Sequence, residues 1–315
     1  MSHYNFRKQI SEEFMISEHD VSRLILRAPY AYKRYTIPKK GGGVRHIAQP
    51  AKETKIIQHH MIHEWFSKLP IHHCAAAYKT GASIKKNAEL HSNSTYISKF
   101  DFVNFFGSIT ALNIKNLLQN EFNNIISEAS IEDMSRMSCI RDKATGRLVL
   151  SIGAPSSPIL SNAVMLNFDT VVHQWCSERG IIYSRYADDL TFSSNERGAT
   201  LKIQDFIQGT LKELPNLNLI LNTDKTIHAS KKNQRRVTGL ILSNDNKVTI
   251  GRDKKRLISA MIHRFSHNEL NSKEIMHLQG LVSFAQHIEP LFVAKLRGKY
   301  STKLITELLR SRGDK

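Results

Sequence analysis

Three carboxylates stand out because of the company they keep. Asp101 lies in KFDFVNFF, among Phe100, Phe102, Phe105 and Phe106, while Asp188 and Asp189 lie in YADDL between Tyr186 and Leu190. A carboxylate in such surroundings loses hydration and needs a cation or a donor to compensate it. Adjacent side chains on a regular strand point to opposite faces, whereas a bend can bring both aspartates toward one point. Three carboxylates from two neighbouring strands suit two magnesium ions about 3.5 to 4 Å apart, the arrangement of nucleotidyl transfer. Magnesium takes oxygen ligands, keeps several waters and suits phosphate substrates, and manganese is able to substitute. A hairpin Asp-Asp pair also has a plain structural reading, a turn that hydrogen-bonds its own backbone. The pair alone leaves both readings open.

The elements that must position these residues read as follows. Residues 1–28 have helical spacing, with Phe14, Val21, Leu24, Ile25 and Leu26 as the apolar face. Residues 32–50 predict two short strands around Gly41 to Gly43, punctuated by Pro38 and Pro50, and 51–69 return to helical spacing. A strand is predicted over 95–106, helices over 110–121 and 129–140, and one long helix over 157–178 that stops at Gly180. A hairpin over 181–194, a helix over 199–213 and a strand over 217–221 complete a mixed α/β body. Three helical stretches follow, at 253–266, 272–288 and 290–310.

The chain has 315 residues and a formal net charge of +17, with a sequence pI near 9.8. Residues 231–315 hold 18 Lys+Arg and 7 Asp+Glu, so 18 − 7 = +11 of that charge lies in the helical tail. Such an asymmetry favours a nucleic-acid clamp over an evenly solvated basic surface. Cys74, Cys139 and Cys176 form no CxxC pair, which argues against a zinc ribbon or a disulfide framework and for buried thiols in a reducing compartment. The polar N-terminus and the absence of a long apolar run predict a soluble cytoplasmic protein without a membrane segment. His59 and His63 share an i, i+4 face, but without a third ligand they read as ordinary histidines. Ser156 and Ser157 suit helix N-caps as well as a functional loop.

Taken in order, Asp101, GAPSSP at 153–158 and YADDL at 186–190 resemble the palm motifs of reverse transcriptases. KKGGGVRHIAQP resembles the fingers hairpin of that family, LNTDKT at 221–226 the lysine-bearing segment after the catalytic hairpin, and VTGLILS at 237–243 the primer grip. NAELH at 87–91 and Val237-Thr238-Gly239 are similar to segments associated with bacterial retron reverse transcriptases. One departure is Ile152, where many relatives carry Gln, and it bears on template or nucleotide contacts there.

The resemblance implies an α/β (α+β) right-hand polymerase. Fingers with N-terminal helices would occupy 1–95, a palm with fingers insertions 96–235, and a primer grip with a basic helical thumb 236–315. The chain ends soon after the thumb, so no ribonuclease H, maturase or endonuclease domain is expected. Asp101, Asp188 and Asp189 would hold the metals. Arg45 with Lys39 or Lys40 would clamp the triphosphate, since guanidinium forks suit phosphate oxygens. Phe106 would exclude a ribose 2′-hydroxyl or simply be a core aromatic; Gly153, Ala154 and Pro155 would let a templating base pair or sugar approach. Lys225 would protonate pyrophosphate or be a solvated turn lysine. Asn87, His91, Tyr186, Arg235, Arg236, Val237, Thr238, Gly239, Arg252, Lys254, Lys255 and Arg256 would contact RNA or primer, beside Lys231 and Lys232.

The implied activity is RNA-directed DNA synthesis on a cognate structured noncoding RNA. It would be primed from a guanosine 2′-hydroxyl, use deoxynucleoside triphosphates and leave a branched RNA–DNA product (msDNA). Antiphage defence with an effector protein encoded nearby would be the cellular role. The alternatives are a group-II-intron-like, diversity-generating or other bacterial reverse transcriptase, an RNA-templated RNA polymerase, and a non-catalytic RNA-binding scaffold.

Overall fold

The first 28 residues form two helices rather than one. Asn5 caps α1 (Phe6–Phe14), which ends where Met15 turns left-handed (φ 52°), and Ser17 then caps α2 (Glu18–Arg27). The break resets the helical phase, so Val21 and Ile25 are buried while Leu26 faces solvent. The computed structural model describes residues 4–39, 42–214 and 216–311. Within them β1 (Tyr32–Pro38) and β2 (Val44–Pro50) pair antiparallel, from Tyr32 opposite Pro50 to Pro38 opposite Val44. Gly42 and Gly43 take the positive φ their turn requires; Lys40 and Gly41 lie outside the described residues. α3 (Lys52–Glu64) follows, and Ser83 caps α4 (Ile84–Leu90).

The strand expected over 95–106 stops early, as β3 (Tyr96–Phe100). Asn104 adopts a left-handed conformation and opens α5 (Phe105–Ser108), which moves Phe105 and Phe106 onto a helical turn. α6 (Ala111–Phe122) and α7 (Glu128–Met137) match their predicted stretches, and β4 (Ile140–Arg141) pairs with β5 (Leu148–Val149). The predicted long helix is two, α8 (Ser157–Val164) and α9 (Leu166–Ser177), divided at Met165. The predicted hairpin is β6 (Ile182–Tyr186) and β7 (Asp189–Ser194), and α10 (Ile203–Glu213) follows. Residues 217–221 are extended chain rather than a strand: Leu217, Leu219 and Leu221 are buried in alternation, but only Leu221 forms a bridge, with Phe102.

β8 (Ile227–Ser230), β9 (Arg235–Val237), β10 (Leu240–Leu242) and β11 (Val248–Thr249) precede the tail. The tail contains α11 (Arg252–Ser266), α12 (Ser272–Ile288), α13 (Pro290–Tyr300) and α14 (Thr302–Arg310). Ser301, at φ 79°, splits the helix predicted over 290–310 and caps its second half. The largest sheet has the order β6-β7-β3-β8, and a second runs β11-β10-β9.

The chain divides into two compact units. The first comprises Met1–Ala82, Ser98–Phe192 and Gly198–Ile227; its core includes Phe100, Leu160, Phe168 and Phe192. The second comprises Ser83–Ile97, Ser193–Arg197 and His228–Lys315, with Val237, Leu240, Ile258, Val282 and Ile305 in its core. All three cysteines are free and buried. No described helix is long and apolar enough to cross a membrane.

Candidate active site

The β6–β7 turn is built to hold Asp188 and Asp189 at its tip. Ala187 sits at φ 59°, a conformation that costs a residue bearing a Cβ about 1–2 kcal/mol. Arg185 fixes it, its NH1 donating to the Ala187 carbonyl at 3.1 Å. This guanidinium is fully buried and is matched by the equally buried Asp169 of α9, with the shortest contact at 2.6 Å. Tyr183 Oη donates to the same carboxylate (2.8 Å), and Asn162 of α8 accepts from Arg185 (3.0 Å) while donating to the Ala77 carbonyl. A buried ion pair is tolerated when further hydrogen bonds complete it, and here they do. Asp169, Arg185, Asn162 and Tyr183 escaped the sequence analysis; the available signal was one charge each within the apolar runs LNFDTVV and IIYSRYA.

Asp101 ends β3 beside this turn. The extended 217–221 segment fixes its backbone, with Asn222 N donating to the Asp101 carbonyl and Val103 N to that of Ile220. Asp101 Oδ2 lies 2.5 Å from Lys225 Nζ on the turn Thr223–Lys225, whereas its buried Oδ1 has no hydrogen-bond partner among the described residues. Asp101, Asp189, Lys225, Lys99 and Asp224 line a cavity of about 290 Å³. Burial, followed by the charges of Asp101 and Asp189, pushes the Asp188 carboxyl up to about 6. Burial likewise raises Asp189; Lys99 opposes it, Asp101 adds to it, and Lys225 opposes it again. The hydrogen bond to Asp101 raises Lys225.

Like charges meet here: Asp101 and Asp189 both raise Asp188, while the Lys225 ammonium is hydrogen-bonded to Asp101. Negative charge is thus in excess, the donors are hard oxygens, and one buried oxygen is unsatisfied. That donor set fits a hard divalent cation.

Other predicted residues of the first unit lie on the β1–β2 hairpin, on α5, on α3 and in the 153–158 loop. Lys39 and Arg45 are exposed on the β1–β2 hairpin. Tyr78, which the sequence analysis did not select, has its hydroxyl pKa raised by burial and then by Asp188 and Tyr186, with Arg45 opposing. Tyr78 thus feels both the β1–β2 hairpin and the β6–β7 turn. Phe106 is half-buried and lines a cavity of about 350 Å³ with Thr36, His46, Ala48, Ser151 and Ile152. Gly153 stands at φ 121°, and a Cβ there would meet the Ala48 carbonyl oxygen at 2.9 Å. Its smallness therefore serves the docking of the loop on β2, which Ala48 N completes by donating to the Ile152 carbonyl. Ala154 is buried and Pro155 half-buried. Ser156 forms no cap and its buried Oγ is unpartnered, whereas Ser157 Oγ accepts from Ser151 N. His59 and His63 are exposed on α3, with His63 paired to Glu64.

The second unit sorts its predicted RNA contacts by burial. Asn87 and His91 are buried, so neither side chain faces solvent: His91 Nδ1 lies 2.7 Å from Ser193 Oγ, and burial pulls its pKa down to about 3. Arg235 is buried as well, its guanidinium donating to the carbonyls of Ser92, Ser94, Leu242 and Ser243. Val237 is core, and Thr238 and Gly239, both with positive φ, make the two-residue turn between β9 and β10. Thr238 Oγ1 donates to the Ile84 carbonyl, so the NAELH helix and the VTG turn hold each other. Lys255 pairs with Glu289 (2.5 Å) and Lys254 lies over the Phe284 ring. Arg236, Arg252 and Arg256 are exposed.

The reverse transcriptase (RNA-dependent DNA polymerase) family model matches residues 37–242. The retron Ec83 reverse transcriptase of Escherichia coli is 40 % identical over 281 residues, 88 % of this chain and 89 % of that one. The retron Ec86 enzyme of the same organism is 32 % identical over 301 residues, covering 92 % and 89 %. The chain belongs to the retron reverse transcriptases. This reverse transcriptase is therefore an RNA-directed DNA polymerase of the right-hand class, and a divalent-metal requirement goes with that family. The span 37–242 runs from β1 to β10 and contains all three aspartates, the β1–β2 hairpin and the 153–158 loop.

Proposed function

We propose that this enzyme copies a cognate structured noncoding RNA into DNA, with Asp101, Asp188 and Asp189 as its catalytic carboxylates. The observation that carries this reading is the cavity where Asp101 and Asp189 meet Lys225, beside an Asp188 kept near pH 6 by burial and two like charges. The three aspartates would hold two magnesium ions, replaceable by manganese, whose chemistry would be to activate the primer hydroxyl and neutralise charge on the triphosphate. Arg45, with Lys39 or Lys40, binds the β- and γ-phosphates of a deoxynucleoside triphosphate. Phe106 excludes a ribose 2′-hydroxyl. Lys225 holds a proton on Nζ beside Asp101 and passes it to the leaving pyrophosphate. Fingers, palm and thumb follow the boundaries 1–95, 96–235 and 236–315.

The resemblance to retron enzymes implies the rest: priming from a guanosine 2′-hydroxyl, a branched msDNA product, and a role in antiphage defence with an effector protein encoded nearby. The test is to express the chain with its native flanking DNA and resolve the co-purifying nucleic acid after RNase, DNase and debranching treatment. The expected result is a short DNA joined to RNA through a debranching-sensitive link, absent from the Asp188→Asn/Asp189→Asn variant although its RNA is retained. A variant that still makes the DNA would overturn the assignment of the carboxylates. RNA without DNA from the parent, with template–primer extension intact, would point to another reverse-transcriptase lineage.

A further inference from the structure

His72 and His73 precede the segment that pairs with Arg185, and His173 projects from α9, one turn beyond Asp169. The three imidazoles bring one nitrogen each to within 4.8 Å of the others, and no other such trio of potential ligands occurs among the described residues. Nε2 of His73 and Nε2 of His173 lie 3.1 Å apart. Two nitrogens bound at 2.0–2.1 Å to a tetrahedral ion are separated by about 3.3 Å, so this pair already has the spacing of two ligands.

We propose that His72, His73 and His173 bind a transition-metal cation of the zinc class. Imidazole nitrogen suits zinc, and three such ligands leave a fourth position for water. Burial, then the neighbouring imidazoles, lowers His72 and His173 despite Asp169, a direction that favours the neutral form a metal binds. Ser177 donates its hydroxyl proton to the His173 carbonyl (2.8 Å) and turns its oxygen to His173 Nδ1 at 3.5 Å. Nε2 is thus the nitrogen turned toward His73, with Ser177 on the Nδ1 side of the ring, where outer-shell partners stand in metal sites. His72 Nδ1 accepts a long hydrogen bond from Cys74 N (3.3 Å).

The ion would brace the catalytic turn from behind. Arg185 N donates to the Cys74 carbonyl and Ala76 N to that of Arg185, so His72 and His73 lead directly into Arg185's neighbouring strand segment. His173 shares α9 with Asp169, the ionic partner of Arg185. Metal bound by all three ties both supports of that arginine together.

The test uses the full chain, stripped of metal and titrated with Zn²⁺ against a chromophoric chelator, with cobalt absorption to report tetrahedral nitrogen ligation. The expected result is one zinc per chain and a melting temperature a few degrees higher. His173→Gln and His73→Gln should each weaken binding roughly tenfold or more, while melting like the parent in the absence of zinc. Asp188→Asn and His59→Gln should bind as the parent does. No zinc uptake at micromolar concentration would overturn the proposal. So would undiminished binding by both histidine variants, which would put the ion elsewhere, and loss of binding in Asp188→Asn would put it on the aspartates.

Discussion

Among the three carboxylates proposed as catalytic, Asp188 bears the largest electrostatic load, because burial and two like charges act on it. Its pKa rises from 3.8 to about 6 on folding, so the native state holds a proton that the unfolded chain releases between those values. Stability therefore falls as pH rises through that window; the cost is absent below about pH 4 and complete above about pH 6. The two-unit shift corresponds to on the order of 2 kcal/mol after discounting for the water that still reaches the group. Asp188→Asn removes the cost together with the chemistry. In metal-free buffer at pH 7.5 the variant should thus be more stable than the parent by about that amount, and at pH 4 the two should denature alike. Urea titrations at both pH values measure it, and a variant less stable than the parent at pH 7.5 would contradict the account. Added magnesium should narrow the gap by stabilising the parent alone.

At the scale of elements, the catalytic geometry depends on loops docked against strands, and glycine marks where the docking is tightest. Gly153 and Gly239 both have positive φ, but only Gly153 faces an obstacle, the Ala48 carbonyl oxygen 2.9 Å from where a Cβ would stand; Gly239 has nothing within 4 Å. Gly239→Ala should cost only the conformational term, about 1 kcal/mol. Gly153→Ala adds a steric clash that pushes the 153–158 loop off β2, and should cost about 2–3 kcal/mol and lower primer extension at least tenfold. Equal losses in denaturation assays would show that the loop yields freely. The sequence made the hairpins legible because Gly-rich turns and alternating residues act locally. It left the helix breaks at Met15, Met165 and Ser301 unread, since none of these residues is a glycine or proline. The aspartates were legible from their apolar flanks. Asp169, which supports them through Arg185, was not, because a buried charge and a solvated one look alike until the partner is found in space. The burial of Asn87, His91 and Arg235 was hidden for the same reason: polar side chains at motif positions prove to be interior.

Across the whole molecule, the charge of +17 is dominated by the +11 of residues 231–315, yet those basic residues are not equivalent. Arg235 is committed to backbone carbonyls, Lys255 to Glu289 and Lys254 to an aromatic face, while Arg252 and Arg256 remain exposed at the start of α11. Only residues free to approach phosphates release counterions on binding, and each such contact adds about one unit to the slope of log affinity against log salt. The double variant Arg252→Gln/Arg256→Gln should therefore lower the slope for structured RNA by about 2 and leave folding unchanged. Lys255→Gln should leave the slope near that of the parent but loosen the fold, because Glu289 keeps its bonds from Thr249 and Ile250 and loses the ammonium that balances its charge. Filter binding across a salt series, with a thermal melt of each variant, separates these effects. If Lys255→Gln lowered the slope as much as a single arginine change, the salt bridge to Glu289 would have to open on binding, and the basic tail would be acting by its sequence charge rather than by what the fold leaves exposed.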